Sequence, residues 1–250
     1  MSPAVELERA SVRYPDGRGI EDLTARLESG RTVALVGPSG AGKSTLLRLI
    51  AGAVAPDAGH VRTLGQSIAQ LRGASYRAAC DRVGLLAQAD DLAPGLSVLH
   101  NVLAGRLGRW SIARALRNRV WPRTDDRRAV EAALAAAELA DRIDADPSEL
   151  SGGERRRVAL ARLAFQAPTI WLADEPTTGL DVRLRGDMMD LLLTMVRGAK
   201  ATAVVALHDL ELLRCGFDEV WGLRGGGLEF ALPAEKVSKA RLAALFGSTA

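Results

Sequence analysis

The sequence predicts an α/β protein with three parts: a core built on a parallel sheet, an antiparallel β subdomain towards the N-terminal side, and an inserted helical subdomain. Three observations predict it. Continuous apolar runs at Thr32–Val36, at residues 169–173 and at residues 203–207 have the two-sided hydrophobicity of strands buried in a parallel sheet. The first run leads straight into a glycine-rich loop and a helical pattern. Residues from about 93 to 165 carry helical rather than strand periodicity.

The elements follow in order. Residues 5–14 (VELERASVRY) roughly alternate apolar and polar, the pattern of a half-buried strand, and Pro15-Asp16-Gly17 supplies a turn. A second strand at residues 23–27 ends at Ser29-Gly30, and the run Thr32–Val36 is the first central strand. The loop from Gly37 to Gly42 opens a helix at Lys43. The helical part is clearest at residues 97–103, 125–139 and 152–165. A helix at residues 182–197 separates the last two buried strands, a hairpin turns near Gly225–Gly227, and a helix over residues 234–246 stops at Gly247.

Bulk composition limits the functions open to such a chain. The 250 residues are 48% hydrophobic and 25% charged, enough for a large buried core. A net charge of +3 is well short of what a nucleic-acid binder advertises, so no nucleic-acid partner is expected. The two cysteines, Cys80 and Cys215, form no CxxC pair and suit a reducing compartment. No apolar run approaches the roughly 20 residues needed to span a bilayer, and the first ten residues lack the pattern of a signal peptide. Any membrane role is expected to be peripheral.

The chemistry begins with Gly37-Pro38-Ser39-Gly40-Ala41-Gly42-Lys43-Ser44-Thr45, which satisfies G-x-x-x-x-G-K-[ST] between a strand and a helix. Glycines let backbone N–H groups curl around an anion, and the helix start adds the positive end of its dipole. Lys43 supplies a point charge for the β- and γ-phosphates, and the Ser44 hydroxyl is placed to ligate Mg²⁺. A second feature is the pair Asp174-Glu175 after the apolar run, at the strand end where α/β sheets place their ligands. Asp174 is the candidate to hold Mg²⁺ opposite Ser44, and Glu175 is the candidate general base for the attacking water. Together they predict a P-loop NTPase core.

Leu150-Ser151-Gly152-Gly153-Glu154-Arg155, lying ahead of the strand that ends in Asp174-Glu175, resembles the signature of ABC ATPases. The rest of that family's motif set is present in order over essentially the whole chain, which implies the ABC ATPase fold with ATP and Mg²⁺ as its ligands. The resemblance places Tyr14 against the adenine ring and Gln88 at the Q-loop, sensing Mg²⁺ and the γ-phosphate. It makes Thr178-Gly179-Leu180-Asp181 the D-loop, with Asp181 working across a dimer contact, and His208 the switch histidine. Ser151, Gly152, Gly153 and Glu154 open a helix whose bare N–H groups form a second anion site, which in the family meets the γ-phosphate held by the other monomer. The signature runs Glu154-Arg155-Arg156-Arg157 where relatives often carry Gln before the last Arg, and Gly179 stands where Ala or Ser is common.

The resemblance also implies the work done. A solo cassette of this length, residues 1–250 as one domain with residues 93–165 as its helical insertion, is similar to the ATPase subunit of a bacterial importer on the cytoplasmic face of the membrane. Its implied partners are a second ATPase subunit, in a homodimer, integral membrane permeases, and indirectly a solute-binding protein. The stretch from Ser97 to Arg109 with its NVLAGRLGR run, and the tail around Gly227 to Glu235, resemble phosphonate-importer ATPases. An ATPase of an exporter, of lipoprotein release or of cell division remains an alternative, as does a non-transport ABC protein. Residues 106–128 carry eight Arg with Trp110 and Trp121; they are either a face against permease loops or anionic headgroups, or a solvated basic surface.

Overall fold

The computed structural model describes residues 3–87 and 92–247. Its strands form two sheets. β1 (Pro3–Arg13), β2 (Gly19–Glu28) and β4 (Ala58–Thr63) make an antiparallel sheet in the order β2-β1-β4. The second sheet has six strands in the order β5-β6-β7-β3-β8-β9: β5 (Val83–Leu86), β6 (Ile170–Asp174), β7 (Thr202–Ala206), β3 (Thr32–Val36), β8 (Glu219–Arg224) and β9 (Gly227–Pro233). All its neighbours pair in parallel except β8 with β9, the hairpin expected near Gly225–Gly227.

The central strands β3 and β7 are buried at every position, as their unbroken apolar runs require. One face of the sheet packs on α1 (Lys43–Ile50) and the antiparallel sheet, through Leu35, Leu172 and Val204 against Leu46, Ile50 and Leu7. The other face contributes Val36, Trp171 and Val205 to a core shared with α7 (Val182–Gly198), through Met189, Leu192 and Val196, and with α8 (Lys239–Phe246) through Leu245. Gly247 ends α8 in the left-handed conformation expected of it, with φ 73°.

Between β5 and β6 the chain is helical: α3 (Val98–Leu103), α4 (Ile112–Val120), α5 (Thr124–Ala136) and α6 (Gly152–Gln166). α3, α5 and α6 enclose their own core of Val98, Val102, Val130, Leu134, Val158 and Phe165. Three elements depart from the sequence expectation: β4, α2 (Gly73–Asp81) and β5 are absent from it, while α4 falls within the helical stretch expected at residues 93–165. β4 (AGHVRT) has almost no apolar pattern and owes its strand state to pairing with β1, while β5 has only four residues, one of them Gly84.

One backbone position ties the loop to the sheet. Gly37 has φ 156°, and a Cβ there would lie 2.2 Å from the Leu223 carbonyl oxygen on β8. Gly37→Ala is therefore expected to cost about 2–4 kcal/mol by forcing the two strands apart. Urea unfolding of the variant would measure it, and an unchanged midpoint would contradict the close approach.

Candidate functional site

The register of the parallel sheet assembles the site. Leu35 and Asp174 both lie abreast of Ala206. The next residues of each strand therefore leave the sheet on one edge, the carboxyl edge where α/β folds hold ligands. From β3 comes the loop beginning at Gly37, from β6 comes Glu175, and from β7 comes His208. Cross-strand bonds hold the exits together: the Leu207 amide donates to the Leu35 carbonyl at 2.9 Å, and the Glu175 amide to the Ala206 carbonyl at 3.1 Å.

The result is a cleft of about 720 Å³ lined by Ser39, Gly40, Ala41, Gly42, Lys43, Ser44 and Thr45 on one side and by Glu175 and His208 on the other. Tyr14, Asp16 and Arg18 close one end. They arrive there because the β1–β2 turn docks on the loop: a Cβ on Gly42, at φ 101°, would stand 2.7 Å from the Gly19 carbonyl oxygen. The Tyr14 amide donates to the Arg18 carbonyl at 2.9 Å, and its ring is half-buried against the core. Arg18 and Arg48, which the sequence reading did not single out, add positive charge to the cleft wall.

Lys43 is buried at the first turn of α1, whose N-cap is Gly42. Its ammonium donates to the Gly37 carbonyl at 2.8 Å and to the Pro38 carbonyl at 3.4 Å. Burial pushes its pKa below the usual lysine range, while the negative charges of Glu175 and then Asp174 oppose that shift. The carboxylates and the loop lysine thus share one electrostatic field, and the loop amides, Lys43 and the helix dipole together favour an anion.

Glu175 holds a left-handed backbone, φ 49°, costly for a residue with a Cβ by about 1–3 kcal/mol. A tight turn maintains it: the Thr178 amide donates to the Glu175 carbonyl at 3.1 Å, and the Thr178 hydroxyl to Glu175 Oε2 at 3.2 Å. His208 is exposed at the end of β7. Asp181 is the exposed N-cap of α7, and its side chain makes no cap bond. Gln88 lies outside the described residues.

The signature segment is built differently and stands apart from the cleft lining. Ser151 and Glu154 form a reciprocal capping box: Ser151 Oγ accepts from the Glu154 amide at 3.2 Å, and the Ser151 amide donates to Glu154 Oε2 at 2.9 Å. Those bonds from Ser151, backbone first, hold the Glu154 carboxyl below its usual pKa. Gly152 and Gly153 meet nothing closer than 3.9 Å from an added Cβ, so neither is demanded by packing within this chain. The bare start of α6 is thus open to an anion brought from outside.

Two residues to which the sequence reading gave no role connect these parts. Buried Arg156 donates to the Thr178 carbonyl at 3.2 Å and to the Ala87 carbonyl at 3.5 Å, linking α6 to the D-loop turn and to the residue before Gln88. Arg185 donates to the Leu180 carbonyl at 3.0 Å and to Asp209 Oδ2 at 3.3 Å, linking the D-loop to the residue after His208. Both signals were hidden because the acceptors are mainly backbone carbonyls, which no side-chain motif records.

Comparison with known proteins identifies the family. Residues 20–178 match the family described as ABC transporter. The chain is 36% identical over 245 residues to the phosphonates import ATP-binding protein PhnC of Pseudomonas fluorescens, covering 98% of this chain and 92% of that protein. It is 38% identical over 246 residues to PhnC 2 of Pseudomonas aeruginosa, covering 98% and 91%. Among solved structures, cbiO1 from Clostridium perfringens shares the fold with a TM-score of 0.82 at 23% identity, covering 98% of this chain and 94% of that one. The dimeric MJ0796, a bacterial ABC transporter cassette, superposes with a TM-score of 0.80 at 27% identity over 92% of this chain and 98% of its own. A P-loop cleft faced by a strand-end glutamate and histidine, an open signature helix, and these relatives make the chain a member of the ABC transporter family, as an ATP-binding subunit that hydrolyses ATP for transport.

Proposed function

We propose that two copies of this subunit close head to tail on two ATP molecules and power the import of a phosphonate or a related oxyanion. The observation that carries the dimer is the separation within one chain: Lys43 and Glu175 meet at the cleft, while the open glycines of the signature helix lie outside its lining. A second chain supplies the missing half when Ser151, Gly152 and Gly153 of the partner cover the γ-phosphate.

Each residue then has a role. Tyr14 stacks on adenine, the loop from Gly37 to Gly42 wraps the phosphates with its amides, and Lys43 counters their charge. Glu175 takes the proton of the attacking water, His208 contacts the γ-phosphate, and Asp181 reaches across the dimer. Ser44, Asp174 and Gln88 are the residues to hold Mg²⁺. Among the described residues no cluster of three or more His, Cys, Asp or Glu could hold a metal ion. A hydroxyl, one carboxylate, ATP oxygens and water are the hard, incomplete donor set that Mg²⁺ accepts in nucleotide sites. When bound, Mg²⁺ neutralises charge on the β- and γ-phosphates. Residues 1–250 work as one cassette, with residues 93–165 as its helical arm.

No helix among the described residues is long and apolar enough to cross a membrane. In the proposed reading the subunit sits on the cytoplasmic face against permease chains, which receive cargo from a solute-binding protein. The relatives' names and the NVLAGRLGR stretch support phosphonate as that cargo. Deleting the gene is expected to abolish growth of its host on a phosphonate as sole phosphorus source while leaving growth on phosphate intact. Normal growth on the phosphonate would remove the cargo assignment but not the ATPase.

A further inference from the structure

Helix α4 is inside out. On a helix of a soluble domain the apolar stripe faces the core; here the polar side does. Arg114 donates to both carboxylate oxygens of buried Asp126, at 3.0 and 3.1 Å, and buried Asn118 donates to Asp126 Oδ2 at 2.9 Å. Arg114 also lies over the Trp110 ring, 5.0 Å from its centre. The outward side carries Ile112, Leu116 and Val120, which are 80%, 63% and 78% exposed, followed by Trp121 at 78%.

The charges around that stripe are of one sign. Residues 104–123 contain six Arg and no acid. At about 100° per residue, Arg119 and Arg117 fall on opposite borders of the line through Ile112, Leu116 and Val120. Together with Arg123 they are exposed and make no salt bridge with the described residues. An apolar line edged on both sides by unpaired cations, with a tryptophan at its end, is the arrangement of a helix lying in a bilayer interface. A protein groove would instead need carboxylates matched to each arginine; an anionic headgroup layer supplies negative charge at any register.

We propose that α4 rests in the headgroup region of an anionic bilayer, with Ile112, Leu116, Val120 and Trp121 inserted and Arg117, Arg119 and Arg123 on lipid phosphates. The contact is separate from the nucleotide cleft and independent of which cargo is imported. It orients the subunit against the membrane.

The test uses the full chain with vesicles of mixed phosphatidylglycerol and phosphatidylcholine, and with pure phosphatidylcholine as the control. At low salt the wild type is expected to sediment with the anionic vesicles and not with the control, and Trp121 emission to shift to the blue. Replacing Arg117, Arg119 and Arg123 together by Gln is expected to lower the partition coefficient on the order of 100-fold. Replacing Ile112, Leu116 and Val120 together by Ser is expected to lower it by about 10-fold or more and to abolish the blue shift. All six positions are exposed and away from the cleft, so ATPase activity in solution should be unchanged and reports that both variants fold. The proposal is overturned if the wild type ignores anionic vesicles, if the Ser variant binds as well as wild type, or if binding appears only when vesicles carry the copurified permease.

Discussion

Glu175→Gln is expected to lower ATP turnover by about 10²–10⁴-fold while ATP still binds. The amide keeps the size of the side chain and a partner for the Thr178 hydroxyl, which now bonds Glu175 Oε2 at 3.2 Å. It keeps the turn that forces Glu175 to φ 49°. What it removes is the basic carboxylate beside the loop, one of the two negative charges that hold up the Lys43 ammonium. Phosphate release measured at saturating ATP reads the loss. The variant should also accumulate an ATP-bound dimer, visible as a doubled mass by light scattering. Wild-type turnover would show that another group takes the proton.

The second large effect is expected from Gly153→Asp. In the folded chain an added Cβ meets only Leu184 Cδ1 at 3.9 Å, and a carboxylate in the first turn of α6 favours the helix dipole. The isolated subunit should therefore fold normally and bind ATP with unchanged affinity. Closing the dimer, however, would bring that carboxylate against the partner's γ-phosphate, and two like charges in a water-poor site repel strongly. Hydrolysis is expected to fall by at least ~100-fold, with no ATP-dependent dimer. A variant that hydrolyses ATP normally would mean that the signature helix never meets a phosphate. Together the two substitutions separate the halves of the composite site: one should trap the closed pair, the other should prevent it.

Much of this machinery was legible in the chain alone because its residues act through local backbone geometry. Six consecutive loop residues after a buried strand require glycine wherever φ is positive, so the phosphate loop announces itself. The unbroken apolar runs that end in Asp174-Glu175 and before His208 likewise declare central parallel strands whose ends form a site. The start of the signature helix at Ser151-Gly152-Gly153 was legible too, while its capping box with Glu154 came from the structure.

Other features depend on partners far away in sequence. β4 is a strand because β1 lies beside it, not because AGHVRT prefers extension. β5 exists through β6, and Gly84 within it is needed because a Cβ would stand 2.1 Å from Leu163 Cδ1 on α6. The links made by Arg156 and Arg185 end on backbone carbonyls at 3.0–3.5 Å that only the packed loops bring within reach. The side of α4 that faces the protein was decided by burial of Asp126, which draws Arg114 and Asn118 inward and leaves the apolar stripe outside. By itself, then, the sequence determined the family, the phosphate loop and the strand-end carboxylates, since short-range patterns encode them. Only the tertiary structure decided the register that gathers Gly37, Glu175 and His208, and the polarity of α4, because both arise from contacts between segments that no local pattern relates.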